Sequence, residues 1–189
     1  MAKIDGFQDF QPLSRAEWRA WLAENHDRRE GVWFVYFKKA AGKPRVTYDE
    51  AVEEALCFGW IDSVPRKLDD ERSKLLFTPR KKKSVWSKPN KQRVARLIEN
   101  GQMTDAGLAK IAAAQADGSW NALDASDNLE MPPDLLSALA ENAAAKMNFE
   151  AFPDSVKRVI LSWIFSAKRA ETRAARLAKT VSMAAQNRR

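Results

Sequence analysis

The sequence predicts an α+β fold that is mostly helical, with a small antiparallel sheet in the N-terminal part and a C-terminal helical module. Three short runs of β-branched and aromatic residues have the composition of strands. Elsewhere, apolar residues recur at helical spacing. A stretch rich in Asp, Asn and Ser, residues 120–131, shows neither pattern. We therefore expect an α+β domain over residues 1–125 and a helical module over residues 131–189.

The first elements are a helix, a strand and a second helix. Glu17 lies three residues after Ser14, and this spacing forms a capping box at the start of the first helix. The run Val32–Phe37 is apolar on both faces, as a central strand is. A second capping box begins at Thr47, and its amphipathic helix ends at Gly59. We predict a positive φ at Gly59, because glycine commonly follows a helix in the left-handed conformation.

Two further strands and two helices are predicted to complete the N-terminal part. The runs Trp60–Arg66 and Ser73–Thr78 are joined by a polar turn, and Pro65 places the first of them at a sheet edge or itself at a strand end. Ser87 is expected to cap a helix, and Thr104 is expected to begin another.

The residues beyond the linker are predicted to be helical. A short helix begins at Pro132–Pro133. A long one begins at Pro153, and its apolar stripe continues through Val181, with cations mainly on its other faces.

Composition limits the classes of function. A single cysteine, Cys57, excludes an internal disulfide framework and fits a reducing compartment. The sequence shows no apolar run of membrane-spanning length and no secretory signal at its N-terminus, so we expect a cytoplasmic protein. One histidine and one cysteine cannot form the usual zinc sets, and the seven glycines are scattered singly. We predict neither a metal nor a cofactor.

The net charge of +7 is unevenly distributed. Residues 65–93 and 157–189 are strongly cationic, and the residues between them are acidic. Such a field attracts an acidic protein, nucleic acid, or an anionic lipid or other anionic ligand. The alternative is that the acidic segment packs against a basic one and cancels its charge. The predicted basic surface consists of Lys82, Lys83, Lys168, Arg169, Arg173 and Arg176.

The segment from Arg80 to Asn90 is the strongest candidate for a binding site. It combines fixed cations and hydroxyls with the free N–H groups of a helix start, which suit a phosphate, and an indole that could stack on a base or sugar. The alternative is that Trp86 packs on the following helix and that the lysines form a solvated loop. With a small polar group in the preceding strand, the predicted ligand-binding residues are Trp60, Asp62, Ser63, Arg80, Lys81, Ser84, Trp86, Ser87 and Asn90.

Three stretches resemble the YdeI/OmpD-associated proteins: residues 51–63, residues 78–90 and the end of the chain from Phe152 to Arg173. The last of these resembles that family's small C-terminal module. The resemblance implies a bacterial accessory protein connected with bacteriocin protection. It provides no catalytic residue.

Three hypotheses for function follow. The first is a non-enzymatic binding protein that acts in bacteriocin or stress tolerance through an acidic partner. The second is a binder of nucleic acid or a phosphorylated ligand at residues 80–90. The third is an enzyme with a small-molecule pocket at Trp60, Asp62, Arg80 and Trp86. The residues favour binding over catalysis, because they contain no recognisable catalytic motif.

Overall fold

A computed structural model describes residues 6–188 and confirms the α+β class. The chain divides into two compact units, the first ending at Trp120 and the second beginning at Asn121. The strands of the first unit are β1 (Asp9–Phe10), β2 (Val32–Phe37), β3 (Trp60–Lys67) and β4 (Arg72–Pro79). Its α-helices are α1 (Arg15–Asn25), α2 (Tyr48–Cys57), α3 (Lys88–Glu99) and α4 (Asp105–Ala116). The helices of the second unit are α5 (Asp124–Asp127), α6 (Pro133–Ala140), α7 (Ala143–Ala151), α8 (Asp154–Phe165) and α9 (Ala170–Ala185).

The sheet has the strand order β1-β2-β4-β3. The predicted strand β2 is central and pairs antiparallel with β4, and β3 lies at the edge, as Pro65 predicted. The register between β3 and β4 shifts between Asp62 and Pro65. The sheet is mixed rather than purely antiparallel, because β1 pairs parallel with β2. A strand of two residues is too short to leave a pattern in the sequence.

Several helix ends follow the predicted capping. Thr47 and Glu50 form a complete capping box, and Gly59 has the predicted positive φ of 76°. Ser14 Oγ accepts a hydrogen bond from Glu17 N, whereas the Glu17 carboxylate bonds to the preceding Leu13 N. Local bonds of this kind depend only on residues close in sequence, which is why the sequence predicts them well.

The core of the first unit is aromatic. Trp18 of α1 packs on Phe34 and Phe77 of the sheet, with ring centroids 4.9 and 5.3 Å apart. Leu22 and Trp60 are also fully buried in this core. The helices α1 and α2 therefore pack their apolar stripes on the sheet. A loop follows the end of β4 at Pro79.

In the second unit, the long helix that was predicted to begin at Pro153 is instead two helices, α8 and α9. The chain leaves the helix after Phe165 and resumes at Ala170. Arg176 of α9 donates to the Trp163 carbonyl and to Ser166 Oγ, and Arg173 donates to the Ile164 carbonyl at 3.4 Å. Side chains of α9 therefore add hydrogen bonds to the last carbonyls of α8, which also accept bonds from Ser166 Oγ and Ala167 N. The prediction also missed α7, which packs on α9.

Candidate functional site

A cavity of about 210 Å³ lies in the first unit, between the loop that follows β4 and one face of α4. Arg80 and Trp86 form part of its wall from the loop side. Ala113 and Ala114 face it from α4, where their small side chains leave space. Its cationic lining comes from Arg80, Lys81, Lys82, Lys83 and Lys110.

Arg80 is the unusual residue of this cavity, because it is a cation that is only 4% exposed. It directly follows β4, and its main-chain N donates to Gly59 O at 2.9 Å. Its guanidinium lies 3.6 Å from the centroid of the Trp86 ring. Nη1 makes two long hydrogen bonds, to Val85 O at 3.3 Å and to Ser84 Oγ at 3.4 Å. Nε is buried and has no hydrogen-bond partner.

No carboxylate among residues 6–188 forms an ion pair with Arg80. A second buried charge in the same unit shows the contrast. Glu54 is 2% exposed, and both of its oxygens are bonded at 2.6 Å, one by Arg15 and one by Arg19. Buried charges in proteins are normally paired in this way, because an unpaired one loses its hydration without compensation. Arg80 is the exception.

The electrostatic environment of Arg80 reflects this lack of a partner. Burial lowers its pKa to about 10, although the negative charge of Asp62 acts in the opposite direction. Arg80 therefore still carries its charge at neutral pH, but at a cost in free energy. An anion entering the cavity would recover part of that cost.

Lysines add to the positive field. Lys81, Lys82, Lys83 and Lys110 are exposed, and none forms an ion pair within the described part of the chain. One carboxylate, that of Asp117, also lines the cavity. It accepts hydrogen bonds from Ser119 N at 2.9 Å and Lys83 N at 3.1 Å.

Hydrogen bonds from Ser119 and from the main chain of Lys83 hold the pKa of Asp117 below its usual value. Asp117 thus ties the lysine loop to the end of α4. Five cations and one carboxylate line the cavity, so its net charge is positive.

Trp86 does not take the exposed position that base stacking requires. It is 1% exposed, and its ring is covered by the Arg80 guanidinium and by Trp120, whose ring centroid is 4.9 Å away. Stacking of this indole on a base or sugar would require the ring to be uncovered, and it stays a prediction. The position of Trp86 agrees with the alternative that it packs within the fold.

The predicted residues of β3 lie outside this cavity. Trp60 is fully buried, and its Nε1 donates to His26 O at 3.0 Å. Asp62 accepts a hydrogen bond from Tyr48 at 2.9 Å, and burial together with this bond raises the pKa of Tyr48 to about 12. Ser63 donates to Leu76 O at 3.3 Å.

Two further predicted residues belong to α3 rather than to the cavity lining. Ser87 lies at the N-cap, but its side chain makes no capping hydrogen bond. Asn90 is buried and accepts a hydrogen bond from Arg93 at 3.1 Å. The residues that the structure does bring together at the cavity are Arg80, Lys81, Lys82, Lys83, Ser84 and Trp86.

The predicted basic residues of the second unit are in two situations. Lys168 and Arg169 are exposed just before α9. Arg173 pairs with Asp134 at 2.5 and 2.9 Å, and Arg176 caps α8. Part of this charge is therefore used within the unit, and a basic binding surface here stays a prediction.

Comparison with protein families identifies both parts of the chain. A model described as a domain of unknown function, DUF8412, matches residues 10–110, which is more than half of the 189 residues. The chain belongs to the DUF8412 family. A second model, described as "Bacteriocin-protection, YdeI or OmpD-Associated", matches residues 128–187. No curated protein and no solved structure matches the chain significantly.

These matches confirm the predicted resemblance for the C-terminal unit. The two N-terminal motifs, residues 51–63 and 78–90, fall instead within the DUF8412 match. Most of the residues that line the cavity, those from Arg80 to Lys110, therefore lie within the DUF8412 match.

The sequence interpretation missed the α4 side of the DUF8412 cavity. Lys110, Ala113, Ala114 and Asp117 are spaced three, one and three residues apart, which places them on one helical face. That spacing was visible in the sequence. Nothing in it connected α4 with the loop at residues 80–84, since the contact joins residues far apart in the chain.

The residues that the structure describes contain neither a metal-binding cluster nor a helix that could span a membrane. Between residues 6 and 188, His, Cys, Asp and Glu side chains do not group in threes as a metal site requires. Each helix in that range is too short or too polar to cross a bilayer. Cys57 is fully buried, and burial raises the pKa of its thiol.

Proposed function

We propose that this protein is a non-enzymatic accessory protein whose DUF8412 domain binds a small anionic ligand, such as a phosphorylated compound, at Arg80. One observation carries the proposal: the Arg80 guanidinium is buried, has no carboxylate partner among the described residues and borders an open cavity. Maintaining such a charge costs stability, and proteins keep costly groups mainly where they bind or react.

The chemistry of the cavity suits an oxyanion. Guanidinium groups donate hydrogen bonds in a planar fork that matches phosphate and carboxylate oxygens. The Arg80 side chain lines the cavity without an ion-pair partner among the described residues, and Lys81 and Lys110 add positive charge at the same cavity. The volume of about 210 Å³ is below the roughly 300–1,000 Å³ typical of pockets for whole drug-sized ligands. A phosphate group or a small phosphorylated compound therefore fits the size better than a dinucleotide.

The geometry supports binding more than catalysis. Asp62 and Arg80, which an enzymatic pocket was expected to share, do not line the same cavity. The carboxylate that does line it, Asp117, is occupied by two main-chain N–H groups. Such a carboxylate is a poor general base, because hydrogen bonds to its charged form lower its proton affinity.

For the biological setting, we propose a role in bacteriocin or stress tolerance in the cytoplasm. The bacteriocin part of this proposal is supported by the description of the family model that matches residues 128–187. A strain lacking the protein should be more sensitive to bacteriocins, and the Arg80→Met variant should fail to restore tolerance. If the deletion strain and the strain complemented with the wild-type protein tolerate bacteriocins equally, the protein does not have this role.

The anion proposal is tested by thermal unfolding and calorimetry with inorganic phosphate, sulfate and a nucleoside monophosphate, with sodium chloride at matched ionic strength as reference. A ligand that binds only the folded state raises its melting temperature. We expect phosphate to stabilise the wild type but not Arg80→Met.

Arg29→Met is the matched control, since it removes the same charge. Arg29 is exposed and forms no ion pair within residues 6–188. Stabilisation of the wild type by none of the three anions would overturn the proposal. Tight binding of an oligonucleotide in preference to the small anions would favour the nucleic-acid alternative.

A further inference from the structure

The second unit contains a groove that the anion site does not involve. It lies between α8 and α9 and has a volume of about 310 Å³. Val159 is 70% exposed and Trp163, one helical turn further along α8, is 37% exposed. We name this the α8–α9 groove; its apolar lining consists of Phe152, Val159, Ile160, Trp163 and Met183.

Cations surround this apolar lining. Lys179 and Arg188 line the groove. Arg176 and Lys179 lie over the Trp163 ring, 5.0 and 5.9 Å from its centroid. No carboxylate lines the groove, and none of these three cations forms an ion pair within the described residues.

We propose that the α8–α9 groove binds an acidic amphipathic segment of a partner protein. Apolar side chains of the segment would enter beside Val159 and Trp163, and its carboxylates would meet Lys179 and Arg188. Charge complementarity selects this occupant: an apolar floor with a wholly cationic border attracts a segment with the opposite charge and an apolar face. Exposed apolar area bordered by polar residues is typical of protein interaction sites.

The shape of the groove favours a protein segment over a membrane surface. Phe152 and Ile160 lie deeper than Val159 and Trp163, with Phe152 only 4% exposed. Side chains of a partner can fill such a recess. A membrane surface, by contrast, binds best to an apolar face that projects from the protein into the bilayer. Trp163, with Arg176 and Lys179 over its ring, is also of the residue type that contributes most binding energy at protein interfaces.

The experiment uses the full chain and a designed probe. The probe is a labelled amphipathic peptide of about 18 residues, long enough to form a helix, with leucine on one face and glutamate on the other. A second peptide has lysine in place of every glutamate. Fluorescence anisotropy should show binding of the glutamate peptide, weakening as salt increases, and little binding of the lysine peptide.

Two variants and two matched controls locate the contact. Trp163→Ala and Lys179→Glu should each weaken binding at least about tenfold. Met147→Ala and Lys146→Glu should not, because Met147 is 66% exposed and both residues are on α7, outside the groove. Circular dichroism checks that each variant is folded. Lys179→Glu keeps the test valid if Trp163→Ala unfolds.

Three results would overturn the proposal. The first is failure of the glutamate peptide to bind, or equal binding by the groove variants. The second is Trp163-dependent binding to vesicles of anionic phospholipid without peptide binding, which would assign the groove to a membrane surface. The third is self-association that Trp163→Ala abolishes, which would assign the groove to a second copy of the chain. The anion proposal does not depend on any of these results, because Arg80 lies in the other unit.

Discussion

Replacing Arg80 with methionine is expected to stabilise the first unit slightly while it abolishes anion binding. Burial lowers the pKa of Arg80 from its ordinary value to about 10. Because one pKa unit corresponds to about 1.4 kcal/mol, the charge costs about 3 kcal/mol more in the folded protein than in the unfolded chain. Methionine removes that cost and keeps an unbranched, flexible side chain beside Trp86.

The contacts that Arg80 does make offset part of this gain. Its two hydrogen bonds, to Val85 O and Ser84 Oγ, are 3.3 and 3.4 Å long, and bonds this long fall at the low end of the usual net contribution, about 0.5 kcal/mol each. Its position over the Trp86 ring contributes about 1 kcal/mol. The free energy of unfolding should therefore rise by about 1 kcal/mol, which raises the melting temperature of a unit of this size by about 4 °C.

The assay is denaturation by urea and by heat, followed by tryptophan fluorescence and circular dichroism in a buffer without phosphate or sulfate. Arg19→Met provides the contrast, since it removes one of the two partners of the buried Glu54 carboxylate. That variant should lose about 2 kcal/mol or more. If Arg80→Met instead loses more than about 2 kcal/mol, and phosphate has no effect on the wild type, Arg80 is a structural residue and our reasoning about it is wrong.

Three further predictions concern other parts of the first unit. Gly59→Val should lower the free energy of unfolding by about 2 kcal/mol or more, because φ is 76° and the added Cβ would lie 2.5 Å from Lys110 Cγ; an unchanged melting temperature would contradict this. Replacing the three lysines at 81–83 with glutamine should leave the free energy of unfolding nearly unchanged. In a log–log plot of duplex DNA affinity against salt concentration, the slope should become shallower by about two to three units. An identical slope would show that these lysines do not contact the DNA. Hydrogen bonds from Thr47 lower the pKa of Glu50 below its ordinary 4.5. The stabilisation by these hydrogen bonds is fully present above the ordinary pKa of Glu50 and is lost as the pH falls through the lowered pKa. Glu50→Gln should therefore make the free energy of unfolding less dependent on pH in the acid range. Superimposable profiles of the wild type and the variant would refute this.

The sequence predicted those features that depend on neighbouring residues. The Thr47 capping box, the positive φ of Gly59 and the central position of β2 were all deducible, because short-range hydrogen bonds, backbone sterics and apolar patterning determine them. The loop that begins at Arg80 was also identified, since its unbroken cationic run at a strand end is visible in the sequence itself.

Only the tertiary structure decided the rest. The apolar stripe of α8 and α9 reads as one helix, whereas the structure breaks it after Phe165, and Arg173 and Arg176 of α9 bond back to the carbonyls at the end of α8. Trp86 looked available in a polar loop, but Trp120 covers its ring. The lack of an ion pair between Arg80 and any described carboxylate, and its position opposite the Ala113 face of α4, likewise depend on residues distant in the chain. Burial and the pairing of charges are properties of three-dimensional packing, and the order of residues along a chain does not specify which distant side chain will cover a given group.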